Sequence, residues 1–175
     1  MIVMLHYIYT RPLIVIILFM GLLLILWSIL STHITAKLWR RGNLILTILA
    51  AVAILYATIL NRTESSTGLI LTPFAAFIAA CQQPELYREM LMNVFLFLPL
   101  GLTLSNALPR KRHCWVRITL TSLVGCILST GIEYTQYCCA LGMAEVDDVI
   151  CNTLGTFIGS SSLLITYAIE NSENG

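Results

Sequence analysis

Charge is scarce in this 175-residue chain: Lys, Arg, Asp and Glu together make up 11%, while hydrophobic residues make up 58%. A soluble domain carries roughly twice that charge, so the composition describes an integral membrane protein. Basic stripes with interleaved aromatics are also missing, and the formal net charge is only +1. Nucleic acid is thereby excluded as a partner. Only three histidines occur, His6, His33 and His113, none beside a serine that it would activate, which argues against acyl transfer by a triad. The six cysteines follow no zinc spacing and read as small apolar filler. No metal set and no cofactor is assigned. Neither an internal repeat nor a low-complexity linker divides the chain, so residues 1–175 are expected to form a single domain.

What is present is a series of apolar runs long enough to cross a hydrocarbon core about 30 Å thick. They predict an all-α membrane protein, a bundle of about five transmembrane helices at Leu13 to Ser31, Leu44 to Leu60, Leu91 to Leu108, Val116 to Tyr137 and Val149 to Ile169. The first run lacks a small-residue cleavage site after it and is read as a retained span. Between the second and third lies GLILTPFAAFIAAC, about 14 residues with a central proline. Too short to cross, it is expected to be a re-entrant or interfacial segment.

Orientation is set by the cations, which collect in cytoplasmic loops. Lys37, Arg40 and Arg41 occupy the first loop, and Arg110, Lys111, Arg112 and Arg117 the third. Both are expected inside, which puts the amino terminus outside and the carboxyl terminus in the cytoplasm. Arg11, Arg62 and Arg88 fall on the outer side, with Glu64, Glu85 and Glu89 for company.

Threading the spans in alternation brings the residues that lipid rejects to one depth. Asn93 begins the third helix, Glu133 and Gln136 end the fourth, and Asp147, Asp148 and Asn152 open the fifth. An outward-facing polar cluster follows. Asp148, Asn152, Gly155 and Gly159 share one stripe of the fifth helix, and Ser122, Cys126, Ser129, Glu133 and Gln136 form a matching stripe on the fourth. These two helices are expected to pack together. Gly155 and Gly159 make a GxxxG pair suited to close helix contact, and Gly101, after the bend expected at Pro99, serves a similar purpose.

Glu133 is the most telling single residue, because an ionisable group inside a span marks a site or a buried partner. It is either neutral through desolvation or ionised beneath Arg62 or Arg88. Asp147 and Asp148 have the simpler reading of helix caps, but a cap alone requires none of the other polar groups around them. Three chemistries fit the cluster: an oxygen-ligand site of the Mg or Ca type, acid or base work on a lipid-linked substrate, and hydrogen bonding to a sugar or peptide headgroup. The residue types do not choose among them, nor between catalysis and binding. A transporter is disfavoured by the lack of an inverted repeat.

NVFLFLPLG (Asn93 to Gly101), GIEYTQ (Gly131 to Gln136) and EVDDVICNTLGTFIG (Glu145 to Gly159) resemble the three signature blocks of the VanZ-like membrane proteins. LTPF, Leu71 to Phe74, is similar to the family's segment ahead of the first block, with Arg62 where an arginine often stands. The resemblance spans about residues 60–165. One departure is that Gly142 and Met143 occupy a region where many members carry an arginine. What the resemblance implies is a multi-pass protein of the bacterial cell envelope. The namesake members are associated with low-level teicoplanin and lipoglycopeptide resistance of Gram-positive bacteria. The implied partners are membrane lipid and a lipid-linked cell-wall precursor or the lipoglycopeptide itself. On the shared depth of the polar groups, one reading has Glu133 and Asp148 bind or polarise such a ligand, Asn93, Gln136 and Asn152 orient it, Asp147 assist, and Arg62 or Arg88 meet a phosphate. The competing expectation is a noncatalytic assembly partner whose polar cluster is a structural hydrogen-bond network.

Overall fold

A computed structural model describes residues 2–62, 67–81 and 83–173, with side chains from Val15 onward except at 17, 67, 84 and 173. Glu64 lies outside the described residues. The helices are α1 (Ile2–His33), α2 (Ala36–Leu55), α3 (Ala75–Ala80), α4 (Pro84–Ala107), α5 (Cys114–Cys138), α6 (Val146–Ser160) and α7 (Ser162–Glu173). A π-helical turn, Tyr56–Leu60, extends α2, and two short strands, β1 (Thr67–Ile70) and β2 (Gly142–Glu145), pair in parallel.

Four helical stretches are long and apolar enough to cross a membrane: Ala36–Leu60, Glu85–Ala107, Cys114–Cys138 and Val146–Ser172. A shorter apolar helix, Leu18–His33, overlaps the first expected span. The fifth expected span is two helices, α6 and α7, joined at Ser161, whose amide still bonds to Phe157 O and Ile158 O. α4 runs on through Pro99 without a break.

Burial is inverted relative to a soluble protein. Leu18, Ile48 and Ile127 are well over half exposed, whereas Ser28, Thr121, Ser129 and Thr156 are wholly buried. Lipid is as apolar as leucine, so nothing drives the large side chains inward, and close packing of small residues holds such helices instead. Phe97, Leu100, Ile54 and Ile132 form the small apolar core where α2, α4 and α5 meet.

The glycines mark the tightest seam. A Cβ on Gly155 would overlap the Val94 carbonyl, and one on Gly159 the Leu98 carbonyl, so both face α4. Gly101 reciprocates, lying against the Thr156 backbone. The sequence reading gave these glycines to the contact with the preceding span. That contact uses Gly125 of α5, which receives the side chain of Thr156.

At one end of the bundle, arginines cover carbonyls left open where helices stop. Arg110 Nη2 donates to Ser31 O (3.0 Å), Arg40 Nε to Ala107 O (3.1 Å), and buried Arg117 donates twice to Ser105 O (3.1 and 2.8 Å). Cations there also complement the negative ends of the helix dipoles. At the opposite end sit α3, the strand pair and the polar residues of interest.

Candidate functional site

α4 contributes most of the wall at this end. Glu85, Arg88, Glu89, Met92 and Asn93 advance by three, one, three and one, which places all five on one face of its first turns. Opposite them come Asn61 and Arg62 after the π-turn, Met143 and Glu145 from β2, and Asp148 from α6. Together they enclose a cavity of about 920 Å³. Asn93 Nδ2 donates to Asp148 Oδ1 at 2.7 Å, tying α4 to α6 across its floor.

Asp147 points elsewhere. Its two carboxylate oxygens accept from Phe74 N (2.6 Å) and Ala76 N (2.7 Å), the open amides at the start of α3. The aspartate therefore caps a helix other than its own, and that bond pins the short segment to the bundle. Phe74, with φ 64°, makes the left-handed turn that presents these amides. The segment expected to be re-entrant is thus β1, this turn and α3.

Glu133, 8% exposed, accepts Glu145 N through Oε2 at 3.0 Å, holding the end of β2 beside α5. Gln136 Nε2 donates to Thr58 O in the π-turn (2.9 Å), and Asn152 Nδ2 to Ser129 Oγ (2.8 Å). Both amides are almost wholly buried, and Gln136 Oε1 and Asn152 Oδ1 have no hydrogen-bond donor among the described residues. The layer behind the cavity is therefore rich in acceptors.

Gly142 leaves room for an arginine from elsewhere in the chain. Its φ of 143° suits glycine, and a Cβ there would collide with Arg62 Nη1. The Arg62 guanidinium occupies that space, with Nη1 at 3.5 Å from Leu141 O. A cation reaches the start of the acidic run from the end of α2 instead of from the run itself. Glu145 lies half-buried nearby; burial pushes its carboxyl above the usual range, Asp147 and Glu89 add to the shift, and Arg62 opposes it.

Of the residues singled out from sequence, Arg62, Arg88, Asn93 and Asp148 line the cavity. Glu133, Gln136 and Asn152 form the layer behind it, Asp147 holds α3, and Gly101, Gly155 and Gly159 pack helices. Sequence reasoning left Glu85, Glu89, Glu145, Asn61 and Met143 out of the site. The helical spacing of Glu85, Arg88, Glu89, Met92 and Asn93 was the available signal for two of them. Nothing in the sequence signalled the arrival of Asn61 and Met143.

A model of the VanZ/LLP1 family matches residues 13–167. Protein VanZ of Enterococcus faecium is 33% identical over 110 residues, covering 59% of this chain and 55% of that protein. The chain thus spans about half the length of this relative. No solved structure matches.

Proposed function

Because the chain belongs to the VanZ/LLP1 family of membrane proteins, we propose that it works in the bacterial cell envelope, binding or modifying a lipid-linked envelope component at an outward-facing cavity. The observation that carries this reading is the cavity at one end of the bundle, walled by Arg62, Arg88, Asn93, Glu145 and Asp148 and set beside apolar helix faces. Charged and polar groups converging on so large a hollow beside apolar surface are the features of a ligand site. Asp148 and Glu145 receive its donors, Arg62 meets an anionic group, and Asn93 orients Asp148. Low-level protection against teicoplanin follows if the ligand is a lipid-linked wall precursor or the lipid-tailed antibiotic.

The test is teicoplanin susceptibility of a Gram-positive host expressing the chain or its Asp148→Asn variant, with membrane abundance of both quantified. Protection by the parent, lost in an equally abundant variant, is the expected result. A well-expressed parent without protection would sink the resistance role.

A second reading is favoured by one observation: Glu133, Gln136, Asp147 and Asn152 each hold another part of the same chain. A network of that kind fixes a bundle without any ligand, and the protein then acts as a noncatalytic assembly partner. Glu133→Gln separates the two readings. Reduced recovery of folded protein in detergent supports the structural network, whereas normal folding with lost protection supports the ligand site.

A further inference from the structure

The cavity's charges do not balance, and the imbalance identifies a headgroup. Resting on the reading of this site as one for a lipid-linked component, we propose that its ligand is an aminophospholipid, an amphiphile whose headgroup joins a phosphate diester to a primary ammonium. The ammonium sits among Glu89, Glu145 and Asp148, and the phosphate meets Arg62.

Among the described residues, four carboxylates, Glu85, Glu89, Glu145 and Asp148, face two guanidiniums, Arg62 and Arg88. A simple anion entering this space is repelled more than attracted, and complementarity demands positive charge from the ligand. Hydrogen bonding makes the same demand. Carboxylates only accept, and Asn93 gives Asp148 a donor to one of its two oxygens. An ammonium brings three donors and no acceptor.

A bare divalent cation satisfies charge but not geometry. Such an ion gathers six or more oxygens at roughly 2.0–2.6 Å. No three of the His, Cys, Asp and Glu side chains converge in that way among the described residues. The carboxylates are instead spread around about 920 Å³, near the upper end of the roughly 300–1,000 Å³ found for small-molecule pockets. An extended headgroup with its glycerol suits that space, and Arg62, half-buried where Arg88 is exposed, supplies the cation for its phosphate.

The surroundings supply the place for acyl chains. Leu71, Phe74 and Ile78, on the segment pinned by Asp147, are each more than half exposed. Met92 and Met143 line the cavity and are themselves about half exposed, and Ala76 of α3 lines it too, so apolar side chains stand both on the wall and on the neighbouring segment. Methionine's unbranched, polarizable side chain adapts to chains of irregular conformation.

The experiment uses the full chain purified in detergent, titrated with dihexanoyl phosphatidylethanolamine, phosphatidylcholine and phosphatidylglycerol, and with chain-free O-phosphoethanolamine. The ethanolamine lipid should bind about tenfold tighter than the choline lipid, which has no N–H, and the glycerol lipid, which has no cation; that is about the size of one charge-assisted hydrogen bond. O-phosphoethanolamine should bind more weakly than its lipid. Glu145→Gln should erase the preference between the ethanolamine and glycerol lipids, and Glu89→Gln, on the exposed face of α4, should reduce it without disturbing the fold. Equal binding of the three lipids, or tightest binding of the glycerol lipid, would overturn the ammonium assignment while leaving a lipid-binding site in place. O-phosphoethanolamine binding as tightly as its lipid would overturn the amphiphile. No saturable binding by a folded parent would overturn the aminophospholipid altogether, and the broader reading would then rest on the independent susceptibility test.

Discussion

Two adjacent aspartates do different work because successive side chains on a helix point about 100° apart. Asp148 turns toward Asn93 and the cavity, while Asp147 turns toward α3 and takes two amides there. Replacing Asp147 with Asn keeps the shape but removes the charge and sets an NH₂ against a backbone N–H. Hydrogen bonds to charged groups contribute roughly 1.5–3 kcal/mol each, so Asp147→Asn should cost about 2 kcal/mol or more. The expected observation is a lower thermal midpoint in detergent, with faster proteolysis around residues 71–81. Asp148→Asn should leave both close to the parent. The sequence could place the pair at a helix entrance and attach it to a polar cluster. It could not divide the labour, because the amides that Asp147 binds are distant in the chain and nothing in helical spacing points to them. Arg62 is a similar case: its role depends on the space left by Gly142, a residue that on paper looked like a lost charge.

Helices were the most legible elements, since each apolar run is long and bounded by charge or turn residues. Their pairing was less legible, as a GxxxG stripe announces a close neighbour without naming it. Here α6 presents its glycines to α4 and Thr156 to Gly125 of α5, so one helix serves two seams. Gly155→Ala should drive a methyl group into the Val94 carbonyl, at a cost of about 1–3 kcal/mol for overpacking. Gly131→Ala is the matched control: nothing lies within 4 Å of its added Cβ. It should be neutral or stabilising by roughly 0.5–1 kcal/mol, the helical preference of alanine over glycine. Thermal unfolding of both variants in one detergent measures the difference, and equal midpoints would reject the close seam. The strands were illegible for another reason. Each has four residues, each contains a glycine, and they meet only after α3, α4 and α5 have intervened. Strand propensity is weak beside such context.

For the whole molecule, the arrangement that matters is the separation of two ends. Arg40, Arg110 and Arg117 cover helix carbonyls at one, with Lys37, Arg41, Lys111 and Arg112 exposed around them, while the mixed-charge cavity occupies the other. On the cation bias of cytoplasmic loops, the orientation proposed for this asymmetry puts the cavity outside. Cysteines already stand at both ends: Cys139 is exposed in the turn after α5, and Cys114 opens α5 beside the basic loop. In single-cysteine variants, a membrane-impermeant maleimide should label Cys139 in intact cells and Cys114 only after permeabilisation. That pattern would give the cavity access to lipids of the outer leaflet and to molecules arriving from the medium. The opposite pattern would turn it to the cytoplasm, where an external lipoglycopeptide never reaches it. A binding preference for aminophospholipid measured in detergent would survive such a reversal, but protection against teicoplanin would then need a cause other than contact with the drug.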